Sequence, residues 1–129
     1  LRNPEIPVIA ARLRSEGHEV FDDWHSAGPH ADDIWRDYEK ARGRSLVEAL
    51  AAPHAEAVFN LDRDNLLSRD TAVLVLPAGM SAAMELGFAA GKGKSTHVLM
   101  QTDVERWDIM LKFAGHVHAD IESLIRSLA

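Results

Sequence analysis

The stretch Thr71-Ala-Val-Leu-Val-Leu76 is unbroken apolar and β-branched sequence, closed by Pro77-Ala78-Gly79. A strand with one wet face alternates apolar and polar residues, whereas a run without a polar break needs cover on both faces, as in a parallel sheet. Thr96-His-Val-Leu-Met100 repeats the pattern. Between the two, Ala82 to Ala90 reads as a short helix of small residues, ended by Gly91-Lys92-Gly93-Lys94. Strand, helix, strand over 71 to 100 is what a parallel pair requires, because joining parallel strands takes a crossover.

The flanks add helices. Asn3 is a good N-cap with Pro4 behind it, and Ile6, Ile9, Ala10 and Leu13 keep helical spacing until Gly17, predicting a helix over 4 to 16. His18 to Asp22 reads as a short strand and residues 24 to 30 as a loop. Asp32 to Ala52 is helical with a break near Gly43, and a further helix spans 54 to 67 after Pro53. Glu105 to Phe113 predicts a helix, Val117 a short last strand, and Asp120 to Leu128 an amphipathic closing helix. The class is α/β. Ligands of such sheets bind at the carboxyl ends of strands, here the loops after Phe21, Leu76 and Met100.

Composition narrows the function. A chain of 129 residues, 47% hydrophobic, is expected to form one domain over 1-129. No apolar run suffices for a membrane span and no signal segment opens the chain, so the expectation is a soluble, cytoplasmic protein with no membrane partner. Zero Cys excludes disulfides, thiolate metal sites and Cys nucleophiles. With 14 Lys+Arg against 20 Asp+Glu, net -6, and no basic cluster, a nucleic-acid polymer is not the expected partner. A small ligand or a protein fits better.

Two acids stand out. Glu85 falls in the first turns of the helix after the surest strand, where backbone N–H groups and the helix dipole favour an ionised carboxylate, the form a nucleophile needs. It could equally complement the dipole on the surface, although a Ser81 capping box would want its Glu at Met84. Asp62 sits within an apolar stripe of Ala55, Val58, Phe59 and Leu66, while Asp64 points away. An acid there is either paired in the interior or open to a cleft. Two carboxylates in one cleft suit glycosidic chemistry, one attacking the anomeric carbon and the other serving the leaving group.

Other features point to structure. His116 and His118 share one strand face, and His25 and His30 share a loop, but none has a partner at zinc-ligand spacing, so no metal is expected. Gly91 to Lys94 follows a helix instead of opening one, unlike a phosphate loop. Trp35 and Trp107 read as core, whereas Trp24, in the loop after a strand, could stack on a base.

Asp62-Arg-Asp-Asn-Leu-Leu-Ser-Arg-Asp70, the strand after it, and Gly79-Met-Ser-Ala-Ala-Met-Glu85-Leu-Gly87-Phe-Ala-Ala-Gly91-Lys-Gly-Lys94 resemble the nucleoside 2-deoxyribosyltransferase family and the related nucleotide N-glycoside hydrolases. The likeness covers about half the chain and is most specific at Met84-Glu-Leu-Gly-Phe-Ala89 with the Gly91-Lys92 that follows. It implies a three-layer flavodoxin-like (Rossmann-like) domain with about five mostly parallel strands, the first lying before Leu1. It implies a glycosyl-enzyme intermediate on Glu85, with Asp62, placed by its distance before Ser68-Arg69-Asp70, assisting the departing base. No cofactor is implied. Gly79 stands where many transferases carry an Asp, and Gly79 with Ser81 echoes the hydrolase loop, which favours hydrolysis over transfer. Arg2-Asn3 resemble the end of the turn that holds a 5'-phosphate at a helix N-terminus. With Gly79, Ser81 and Trp24 they form the expected substrate contacts. The family tends to form homodimers or larger homo-oligomers, and residues 103 to 116 are the segment expected to meet a neighbour.

The leading reading is therefore cleavage of the N-glycosidic bond of a nucleoside or nucleoside 5'-monophosphate. The alternatives are a TIR-like NAD glycohydrolase, and a non-catalytic nucleotide-binding module.

Overall fold

A computed structural model describes residues 3–23 and 30–129. In chain order the elements are α1 (Ile6–Ser15), α2 (Ala31–Ala41), α3 (Leu46–Leu50), α4 (Pro53–Leu67), β1 (Thr71–Val75), α5 (Met80–Gly91), β2 (Ser95–Leu99), a single 3-10 stretch (Ile109–Phe113), β3 (His116–His118) and α6 (Ile121–Leu128). They fall into two compact units. One holds Asn3–Asp22 with Leu66–Ala129, the other Asp23–Asn65.

In the first unit the two apolar runs pair as expected. β1 and β2 are parallel and in register from Thr71 opposite Ser95 to Val75 opposite Leu99, with α5 as the crossover. β3 adds a parallel edge, His116 opposite His97 and His118 opposite Leu99, giving the order β1-β2-β3. Alternation along the strands then makes two apolar faces. Val75 and Leu99 pack with Ile9 and Leu13 of α1 and Leu124 of α6; Leu74 and Val98 pack with Leu86 of α5. The sheet thus has helices on both sides, which is how a continuous apolar strand escapes water. This unit is an α/β sandwich around a three-stranded parallel sheet.

Three helices end the same way. Gly17, Gly43 and Gly93 have φ of 94, 72 and 75°. Each follows the C-cap of α1, α2 or α5 and donates its N–H to a carbonyl of the last turn, the next residue reaching one carbonyl further back. That is the Schellman arrangement, which needs the left-handed conformation glycine adopts without a Cβ clash.

Three expectations are corrected. α1 begins at Ile6, not Pro4: Asn3 folds a turn first, its Oδ1 accepting from the Glu5 N–H at 3.0 Å and its carbonyl from Ile6 at 3.2 Å. Residues 18–22 are not a strand. Side chains hold them instead: Arg14 donates to the Val20 carbonyl at 2.9 Å and pairs with Asp22, Arg69 pairs with Glu19, and Val20 packs on the core. Composition marks a segment as extended but says nothing about a ladder partner. Of the helix expected over 105–113, only the 3-10 stretch forms, capped by Asp108 accepting from the Met110 N–H at 2.9 Å. Ile109, Met110 and Phe113 are exposed, so the segment lacks the packed face that stabilises a short helix.

The second unit is helical. α2 stops at the Gly43 turn, Ser45 caps α3 by accepting from the Glu48 N–H at 3.2 Å, and α4 starts at Pro53. Its buried residues include Ala49, Ala52 and the acid Glu39. Among the described residues no helix is long and apolar enough to cross a membrane.

Leu124 of α6 is fully buried between the sheet and α1. Leu124→Ala is expected to lower stability by about 2–5 kcal/mol, and Leu128→Ala, at the partly buried margin of the same core, by clearly less. Urea unfolding of the two variants checks the ranking; equal losses would remove α6 from the core.

Candidate functional site

The carboxyl end of β1 is where the sheet opens a turn. The Leu76 N–H still donates to the Leu99 carbonyl at 2.9 Å, the Leu76–Pro77 peptide is cis, and Pro77, Ala78 and Gly79 carry the chain off the sheet, exposed. Gly79 is the N-cap of α5 in extended backbone, φ -88 and ψ -175°, with no side chain capping the helix. Asn3 is buried against this turn and its Nδ2 reaches the Pro77 carbonyl at 3.5 Å, a long contact. The start of α1 is thereby tied to the β1–α5 turn.

Asn3, Gly79, Ser81 and Glu85 therefore belong to one unit and to the elements around that turn. Ser81 is exposed; Glu85 lies four residues on, one helical turn behind on the same side, half-buried. The electrostatic expectation for Glu85 is corrected. Because α5 starts at Met80 and not Ala82, Glu85 is the sixth helical residue. The field of a helix N-terminus fades within the first turn, so the dipole does not account for an ionised Glu85.

Asp62 is half-buried on α4, in the other unit. The apolar stripe that singled it out is mostly not core: Leu66 is buried, but Val58 is 46% and Phe59 62% exposed. Periodicity identifies an apolar face without saying what covers it. Glu85 and Asp62 are each engaged by neighbours. Arg2 and Trp24, together with His25, lie outside the described residues.

Two side-chain arrangements are not visible in the sequence pattern. The first is on the sheet. His97, 1% exposed, stacks on His116 with centroids 4.8 Å apart and on His118 at 5.3 Å. Burial foremost, then the neighbouring His116 and His118, pushes the His97 ring down to about 4. His118 is lowered by burial and His116, against the opposing pull of Asp120. Among the described residues no group of three or more acids and histidines is arranged to hold a metal. What the sequence does show is that His97 falls in the middle of a strand buried on both faces; its partners on β3 are set by the register.

The second arrangement is within the helical unit. Glu39 accepts from Arg44 at 2.7 Å while its other oxygen, Oε1, and the indole N–H of Trp35 one turn away are buried without a partner. Both residues line a cavity of about 120 Å³ with Lys40, Ser45 and Leu46. Trp107, expected in the core, is 83% exposed. The expectation that Gly91 to Lys94 forms a turn holds, and Lys94 has a structural role there. Its ammonium donates to the carbonyls of Leu67, at 2.8 Å, and Arg69 at the end of α4.

Compared with known protein families and with characterised proteins, the chain matches none.

Removing the Arg44 guanidinium leaves the Glu39 carboxylate buried without its cation. Arg44→Met is expected to lower stability, and only modestly because Arg44 itself is part-exposed. Adding Glu39→Gln should recover part of the loss. Urea unfolding of the single and double variants measures it, and a single variant as stable as the parent protein would show the pair contributes nothing.

Proposed function

We propose that the protein cleaves the N-glycosidic bond of a nucleoside or nucleoside 5'-monophosphate, with Glu85 as nucleophile. The observation that carries the reading is the turn after β1, where Asn3, Gly79 and Ser81 accompany a half-buried carboxylate on the following helix. This is the strand end at which open parallel sheets bind ligands. The resemblance to the deoxyribosyltransferase family supplies the reaction, and a flavodoxin-like domain of about five strands is the fold that goes with it.

In this reading a Glu85 oxygen bonds to the anomeric carbon as the carbon–nitrogen bond breaks, and the base departs with the electron pair and takes up a proton. Water then attacks the same carbon and releases the sugar and the Glu85 carboxylate; a second base in place of water gives transfer. Gly79 leaves the turn without an acid, which favours hydrolysis. Gly79 and Ser81 lie where a sugar would approach α5, and Asn3 borders the same turn. The departing base is assigned to Asp62 by the resemblance, and a homo-oligomer, meeting through 103 to 116, belongs to the same proposal. Trp107, Ile109, Met110 and Phe113 support it by exposing apolar surface in that segment. No metal or other cofactor takes part.

The test is chromatographic detection of free base from a panel of ribo- and deoxyribonucleosides, their 5'-monophosphates and NAD, with and without an acceptor base. Base release is expected from a nucleoside or monophosphate. Glu85→Ala should lower turnover on the order of a thousandfold or more, because no neighbouring group substitutes for an attacking carboxylate. Asp62→Asn should lower it about 10²–10⁴-fold if Asp62 handles the leaving-group proton. Release of nicotinamide alone would move the activity to a TIR-like NAD glycohydrolase. Thermal stabilisation by a nucleotide with no base released would make the protein a binding module.

A further inference from the structure

Two of the sheet's histidines, His97 and His118, belong to a continuous hydrogen-bonded chain. Ser95 Oγ meets His97 Nε2 at 2.9 Å, His97 Nδ1 meets His118 Nε2 at 3.0 Å, and His118 Nδ1 meets Ser123 Oγ at 2.8 Å. It runs from the first residue of β2, across β3, to the first turn of α6. A neutral imidazole has one N–H and one bare nitrogen, so two neutral rings satisfy the central contact with a single proton. One added proton leaves every hydrogen bond in place, since the charged ring donates at both ends, but it puts a cation on a ring only 1% exposed, a cost that opening relieves. A second places two N–H groups face to face at that 3.0 Å contact and two cations in stacked rings.

Ser95 and His97 have the connectivity of a nucleophile and its base, but the surroundings do not support that use. The N–H groups of Gly93, Lys94 and Ser95 all donate to carbonyls, of Ala90, Ala89 and Asp70, leaving none beside Ser95 Oγ for an oxyanion.

β3 carries the third member of this chain, His118. It is an edge strand of three residues, two of them His116 and His118. Its other ties are a short parallel ladder with β2 alone, over three residue pairs, the Gly115 N–H donating to Thr96 Oγ1 at 2.9 Å and the Met100 N–H donating to the His118 carbonyl at 2.9 Å. We propose that the Ser95–His97–His118–Ser123 chain is an acid-released latch that holds β3 and the first turn of α6 on the sheet. The ionisable groups that act on its two rings are His116 on β3 and Asp120 at the N-cap of α6, while Glu122 of α6 is paired with Arg12 of α1. β1 contributes none, since Val73 stands opposite His97 and Thr71–Val75 carries no charge. Asp120 alone opposes the latch's release by favouring a charged His118.

The sign follows from linkage. The closed latch favours the neutral His97 ring, lowering it from 6.5 to about 4. Its contribution is therefore full above 6.5 and is lost as pH falls from 6.5 toward 4, because opening returns the ring to water and to its ordinary affinity for a proton. At pH 5 the opening equilibrium should be about thirtyfold larger than at pH 7.5 through His97 alone.

Hydrogen–deuterium exchange on the full chain, expressed as protection factors between pH 7.5 and 5, tests the latch. Protection over 114–125 should fall by about that thirtyfold factor, while 71–76 keep theirs. His97→Gln with His118→Gln retains donors and acceptors without titrating, and should make protection over 114–125 independent of pH. NMR titration of the unmodified protein needs no variant: the His97 ring of the folded protein should stay neutral until the pH nears 4, after protection has begun to fall, and the His118 ring should titrate below its ordinary value. Flat protection over 114–125, loss shared with 71–76, or rings titrating at their ordinary value would each overturn the proposal. None of these readouts depends on whether Glu85 attacks a sugar.

Discussion

The parallel pairing of β1 with β2 is the constraint on which the first unit rests. Parallel strands cannot be joined by a tight turn, so the chain between Val75 and Ser95 has to cross back over the sheet, and α5 is that crossing. Strands with no polar alternation must be covered twice, and α5 can cover only one face. α1 and α6, from the two ends of the chain, cover the other. Val98, Leu99 and Leu124 reach 0% exposure as a result, each contributing about 1.5–3 kcal/mol relative to an exposed side chain. The same constraint fixes where chemistry can sit. The strand must end, the crossover must begin, and the turn between them, Pro77–Gly79, is open to solvent at the carboxyl end of β1.

Much of this was legible because it depends on patterns of short range. The two apolar runs, the Gly-terminated helices and the Pro53 start are consequences of alternation, left-handed φ and the missing N–H of proline, and each appears in the chain where those rules place it. Pattern and fold part where a segment's state depends on a partner. Residues 18–22 have strand composition but no ladder; residues 105–108 have helical composition but no packed face. Val58 and Phe59 are spaced like core residues and are exposed. In each case the sequence describes one surface and the outcome is set by whatever lies opposite.

The candidate site shows the same division. Asn3, Ser81 and Glu85 were each identifiable from position, since Asn3 precedes a proline-led helix and the other two follow the strongest strand. Their gathering at one turn needed the fold, which brings the Asn3 amide against the Pro77 carbonyl across 74 residues of chain. Glu85 stands deeper in its helix than its position after the strand suggests. A helix beginning two residues earlier than expected moves it out of the N-terminal field, leaving partial burial and its neighbours to govern its behaviour.

The histidine chain could not be read from spacing at all. His97 and His118 are 21 residues apart, and only the β2–β3 register brings their rings to a shared proton. A polar chain set into an otherwise aliphatic face is costly unless every member is satisfied, and here both buried rings have a partner at each nitrogen. Alternation puts His97 on the side of Leu99, covered by α1 and α6, whereas Glu85 rides on α5 against the opposite face. The sheet therefore separates the two. The histidine chain and the turn after β1 lie on opposite faces and toward different edges of the sheet, and it is the three-residue β3 that carries His116 and His118 itself. Acid acting on the histidines loosens the edge of the fold before it disturbs the strand end where the carboxylate stands.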